Sequence, residues 1–179
     1  MNFTKSLSAA AALAALCMSA TSASAAVTTF STLLSSAGEP VPTSTATGAV
    51  VVSFDDVLNS VTVLMSFSGL ANAAPFAHIH CCTAAAGIGS AAVVLNFTSF
   101  PALATGSYIS SFTLTPTAFS SLLAGASAGK AYVNIHTTGT YSGGEIRGFL
   151  PAVPEPGTYA LMLAGLVGVA AIARRRSVA

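Results

Sequence analysis

The sequence predicts an all-β domain with one short helix, set between two apolar ends. Three observations carry this. Short stretches with apolar residues at every second position recur between clusters of Gly, Ser and Thr, the period of a half-buried strand. A single segment, residues 116–128, carries helical start and stop signals. Both termini have the tripartite order of targeting segments, in which apolar runs are flanked by basic and small residues.

The strands follow in order. In "SVTVLMSFSGL", residues 60–70, Val61, Val63, Met65 and Phe67 alternate with Thr62, Ser66 and Ser68, and Leu64 is the only breach. Val50, Val52 and Phe54 repeat the pattern upstream, and residues 30–35, 91–97 and 107–114 have the usual strand length. In "PTAFSSLLAGASA" a proline sits early, Phe119, Leu122 and Leu123 give an apolar side, Thr115 is placed to cap the start and Gly129 to end it. Residues 130–150, "KAYVNIHTTGTYSGGEIRGFL", read as a hairpin. Val133 and Ile135 fall on one face of its first strand, and Tyr132, Asn134 and His136 on the other. With the turn centred on Thr140 and Tyr141, His136 faces Glu145 and Asn134 faces Arg147.

The ends are read separately. Lys5, an apolar stretch over 7–20 and the run Ala23-Ser24-Ala25-Ala26 form a secretory signal over residues 1–25, cut after Ala25 or Ala26 by signal peptidase. At the other end Pro154-Glu155-Pro156 breaks regular structure. An uncharged run over 157–173 and the cluster Arg174-Arg175-Arg176 follow. At ~1.5 Å per residue this run spans roughly 25 Å, slightly short of the ~30 Å hydrocarbon core, so it predicts a marginal transmembrane helix with its arginines on the cytoplasmic side. Residues 153–179 resemble the PEP-CTERM sorting signal of Gram-negative bacteria, which implies export, recognition by an exosortase and delivery to the cell surface, with a transient or permanent membrane anchor.

What remains is one domain, residues 27–151. The 53% hydrophobic composition of the whole chain is inflated by its two ends. The domain carries Lys130 and Arg147 against Glu39, Asp55, Asp56 and Glu145, a net charge of −2. So few basic groups cannot neutralise phosphates, which argues against a nucleic-acid partner. Asp55 and Asp56 read as a solvated turn. Cys17 leaves with the signal, and Cys81 and Cys82 remain in a compartment that permits disulfides. They can close on each other through an eight-membered ring, stay free, bond another molecule or coordinate a metal as thiolates.

The domain also resembles a family. "FSTLLSSAGEPVPTSTATGAVVVSF" from Phe30, "GLANAAPFAHIH" ending at His80 and "AGKAYVNIHTTGTYSGGEIRGFL" from Ala128 look like the start, middle and end of a CHRD domain. The resemblance implies an exported, immunoglobulin-like antiparallel β-sandwich with no agreed biochemical activity. Cys81-Cys82 stand where most members have a glycine-containing loop.

Candidate chemistry centres on "AHIHCCT". Histidines at i and i+2 of a strand project from one face, with Cα atoms roughly 6.5 Å apart. His78, His80 and His136 are the three histidines of the chain. If the strand continues, Cys82 joins their face, and three nitrogens with one thiolate suit zinc or copper. Glu145 would then fix the tautomer of His136 from the outer sphere, with Arg147 and Asn134 beside it. The competing expectation is a metal-free, hydrogen-bonded cluster in which Arg147 pairs with Glu145. The His-x-His strand is also similar to that of copper, zinc superoxide dismutase, but the two-metal site of that enzyme needs more histidines and an aspartate ligand. Nucleophile-elbow, zinc-protease and phosphate-loop motifs are lacking. The expected function is therefore a non-catalytic surface or matrix protein, meeting exopolysaccharide or other surface proteins. The alternative is an exported copper- or zinc-binding module.

Overall fold

The computed structural model describes residues 27–151 together with Gly165 and Leu166. The signal segment lies outside the described residues, as does the predicted span over 157–173 apart from those two helical positions. The sorting residues Pro154, Glu155, Pro156, Arg174, Arg175 and Arg176 lie outside them too. Among the described residues no helix is long and apolar enough to cross a membrane.

Two antiparallel sheets face each other across one core, consistent with a β-sandwich. The first has the order β1-β2-β3-β6, from β1 (Val27–Leu34), β2 (Thr47–Asp55), β3 (Ser60–Ser68) and β6 (Gly106–Thr113). The second has the order β5-β4-β7-β8, from β4 (Phe76–His80), β5 (Val93–Asn96), β7 (Tyr132–His136) and β8 (Ile146–Phe149). The alternation read in the sequence is the alternation of burial. Val61, Val63, Met65 and Phe67 point into the core, and Leu64, the breach, stands 51% exposed on the outer face.

The strand order differs from that of an immunoglobulin constant domain, in which the third strand crosses to the opposite sheet. Here β1, β2 and β3 are a meander. The β2–β3 turn is the cause: Asp55 Oδ1 accepts from the Val57 and Leu58 amides, and Asn59 takes a left-handed φ of 49°. So tight a connection leaves β3 no path except back along β2, paired from Thr47–Ser68 to Asp55–Ser60. The chain changes sheets only after β3.

The helix α1 (Pro116–Ser127) starts as expected, with the Thr115 side chain accepting from the Ala118 amide and proline in its first turn. Gly129 ends it with a φ of 69°. Phe119 and Leu122 lock the helix onto the core, where the Phe119 ring meets Phe54 edge-on. The last hairpin keeps the predicted register, Asn134 opposite Arg147 and Ile135 opposite Ile146. Its inward residues Val133, Ile135 and Ile146 are fully buried. Asn134 and Arg147 therefore look outward together.

Candidate metal centre

The two histidine-bearing strands are neighbours. β4 pairs with β7 so that His78 faces Asn134, His80 faces Tyr132 and Phe76 faces His136. Alternation turns all three imidazoles to the outer face of this sheet. His78 and His136 lie 5.0 Å apart between ring centroids, His78 and His80 5.7 Å, and His80 and His136 6.2 Å. Each ring offers a nitrogen within 4.8 Å of those offered by the others.

The outer face is not open to water everywhere. The 3₁₀ turn Ser36–Gly38 after β1 and the Gly87–Ala91 loop lie over it, and Asn134 and Tyr132 are almost completely buried beneath. Backbone carbonyls orient two of the imidazoles. His80 Nδ1–H donates to the Ala91 carbonyl at 2.8 Å, and His136 Nδ1–H donates to the Ser142 carbonyl at 2.9 Å. In the neutral ring this leaves Nε2 without a proton, and both Nε2 atoms approach Asn134 Oδ1, at 3.1 Å from His80 and 3.0 Å from His136. His78 Nδ1 is buried without a hydrogen-bond partner. The Tyr132 ring stacks on His80 at 4.7 Å and 3°, and fixes its plane.

Electrostatics favours the neutral form of His78 and His80. Burial first, then the neighbouring His136 and His80, pushes the His78 imidazole down to about 4. Burial also holds His80 below the usual histidine value, against the hydrogen bond to Ala91. Neutral, fixed imidazoles whose second nitrogen is engaged by a carbonyl are the form in which histidine binds metals.

The residues expected around them sort differently. Glu145 does not reach His136. It precedes β8, directly after Gly144 with its φ of 130°, so strand alternation does not govern it. Its carboxylate is fully buried and accepts from Ser44 Oγ, the Ala71 amide and Thr137 Oγ1 at 2.7, 2.8 and 2.5 Å. Arg147 does not pair with Glu145 either. Its Nη2 donates to Glu39 Oε2 at 2.5 Å, its Nη1 to the Gly89 carbonyl, and its guanidinium lies 4.5 Å over the Tyr132 ring. Glu39, from the turn after β1, takes the position foreseen for Glu145. Its carboxylate rests on Gly144, where any Cβ would collide with it, and accepts from Asn134 Nδ2 at 3.4 Å. Sequence reasoning missed Glu39, which stands 108 residues from its partner.

Cys82 leaves the ligand set. The strand stops at His80, and Cys81 and Cys82 form a disulfide with each other, which consumes the thiolate. Both sulfurs lie against Gly125 of α1, where a Cβ would strike them. With Val94, Leu114, Ala118, Ser121 and Leu122 they line a separate cavity of about 350 Å³. A glycine inside a helix is disfavoured by about 1 kcal/mol relative to alanine, and the disulfide accounts for its place here.

What the arrangement can do follows from its donors. Three imidazole nitrogens around zinc at ~2.0–2.1 Å would stand about 3.3 Å apart, so a spread within 4.8 Å closes on an ion by small side-chain shifts. Among the described residues, this is the one group of His, Cys, Asp and Glu side chains so gathered.

Comparison with known proteins places the chain in a family. No curated protein and no solved structure matches the chain. The PEP-CTERM protein-sorting motif matches residues 152–177, which implies export, processing by an exosortase and surface or membrane association in a Gram-negative bacterium. The CHRD domain model matches residues 30–150, the whole sandwich from Phe30 in β1 to Leu150 just past β8, and the chain belongs to the CHRD domain family.

Proposed function

We propose that this protein is an exported, non-catalytic surface protein whose CHRD domain binds zinc or copper through His78, His80 and His136. The observation that carries the reading is the pair of bare Nε2 atoms on His80 and His136, both aimed at the same carbonyl oxygen of Asn134. Three hydrogen-bond acceptors brought to 3.0–3.1 Å without a proton among them repel one another, and a cation removes the repulsion. A metal-free polar cluster leaves that conflict standing, and leaves His78 Nδ1 unpaired as well.

The test is a melting curve. Metal-free protein titrated with zinc or with copper should melt at a higher temperature, by about 2.7 kcal/mol of added stability at a hundredfold excess over Kd. The gain should vanish in His80→Ala. Melting indifferent to both metals would contradict the reading.

A second reading rests on the opposite face. The outer side of the β1-β2-β3-β6 sheet carries Thr29, Ser53, Thr62 and Ser111 side by side, with Leu64 and Ile109 exposed next to them. That hydroxyl-rich surface, with Asp55 at one end, suits packing against exopolysaccharide or other surface proteins. A domain that stays monomeric and fails to sediment with the producer's exopolysaccharide would exclude it.

A further inference from the structure

We propose that Asn134 Oδ1 is the fourth ligand of the metal, closing a site of three imidazoles and one amide oxygen. This rests on the metal reading above and extends it from the residues that hold the ion to the kind of site they make.

Proton positions carry the assignment. A neutral imidazole carries one N–H. In His80 and in His136 the Nδ1 proton is used on a backbone carbonyl, at 2.8 and 2.9 Å. A neutral ring bonded in this way has no proton left for Asn134, yet the amide oxygen sits 3.1 and 3.0 Å from the two Nε2 atoms. The amide is held this way round from behind. Asn134 Nδ2 donates to Glu39 Oε1, whose other oxygen accepts from Arg147, and reversing the amide would set its oxygen against that carboxylate. Arg147 thus anchors Glu39, Glu39 anchors the amide, and the amide oxygen is presented among the imidazoles.

The spacing agrees with ligation. Ligand atoms on a tetrahedral zinc stand about 3.3 Å apart, close to the 3.0 and 3.1 Å found here. Burial agrees too, since Asn134 is only 1% exposed.

Two consequences follow. A fourth protein ligand leaves no position for a substrate or an activated water, so the site sequesters or structures the domain and does not catalyse. An amide oxygen is a hard donor, which favours zinc(II) or copper(II) over copper(I).

Cobalt(II) in place of the native ion reports both points through its visible spectrum. The full purified protein loaded with cobalt(II) should show intense four-coordinate absorption that azide leaves unchanged, because no coordination position is open. In Asn134→Ala the cobalt affinity should fall by at least the ~10–100-fold typical of losing an outer-sphere partner, and its spectrum should respond to azide. Cobalt uptake by the unaltered protein with a spectrum that shifts on adding azide overturns the Asn134 assignment and leaves the three-histidine reading intact. So does an Asn134→Ala variant of unaltered affinity and spectrum. The azide experiment on the unaltered protein decides even if the variant fails to fold. Failure of that protein to take up cobalt at all overturns the metal reading, and this assignment with it.

Discussion

On the outer face of the β1-β2-β3-β6 sheet, Thr29 and Ser53 meet at 3.0 Å and Thr62 and Ser111 at 2.8 Å, all in contact with solvent. On the outer face of the β5-β4-β7-β8 sheet, Asn134, Arg147 and His80 are buried, and each bonds a group brought onto the sheet from a turn or loop. The inner faces of the two sheets are alike and apolar. The difference is the cover. The turn after β1 and the loop before β5 lie on the second sheet only, and they convert a row of polar side chains into a desolvated, pre-oriented one. Ion pairing and ligation gain strength away from water, so chemistry concentrates under the cover and the bare sheet keeps its hydroxyls.

The largest effect expected from breaking this contrast is at Glu39. Glu39→Ala leaves Arg147 buried without its anion and frees the Asn134 amide, and should destabilise the domain by about 3–5 kcal/mol in urea unfolding. A loss below 1 kcal/mol would mean that the cover contributes little.

Next comes Gly125→Ala, which forces a methyl group onto the Cys81–Cys82 sulfurs at the edge of the same sheet and should cost about 1–3 kcal/mol by thermal melting. Stability equal to or above the parent would show that the helix and the disulfide yield easily.

A pH titration sharpens the contrast further. The unfolded His78 takes its proton near 6.5, the folded one only near 4. Between these values the unfolded state binds more protons, so the metal-free domain loses stability as pH falls from about 6.5 to 4 and holds its full value above. His78 is only partly buried, so water screens the effect and keeps it below that of Glu39→Ala. Urea midpoints at pH 7 and pH 4.5 should differ in the parent, and the difference should narrow in His78→Ala, where His80 keeps its own share. The smallest effect belongs to the bare sheet, where Leu64→Ser should change stability by no more than about 0.5 kcal/mol.

How much of this was legible in the sequence depends on the range of the interaction. Period-2 burial in β3, the Thr115 cap and the Asn134–Arg147 register are local patterns, and they stand as read. Glu145 was assigned to the wrong neighbours because alternation holds only inside a strand, and β8 begins one residue later. Glu39 was invisible for a different reason: its turn reaches Arg147 only once β1 and β8 have met, through the Ser35–Arg147 bridge. The bare Nε2 atoms needed the Ala91 and Ser142 carbonyls, which no side-chain motif encodes. The antiparallel sandwich was legible through the family resemblance, but its strand order was not, because that depends on the tight Asp55–Asn59 turn.

Metal content decides the central claim most directly. Protein purified from the exporting cell, without added metal, should carry zinc or copper at about one ion per chain by elemental analysis, and His78→Ala/His80→Ala should carry none while keeping its β-sheet circular dichroism. Folded parent protein free of both metals, and unable to retain either after loading and dialysis, would contradict the account.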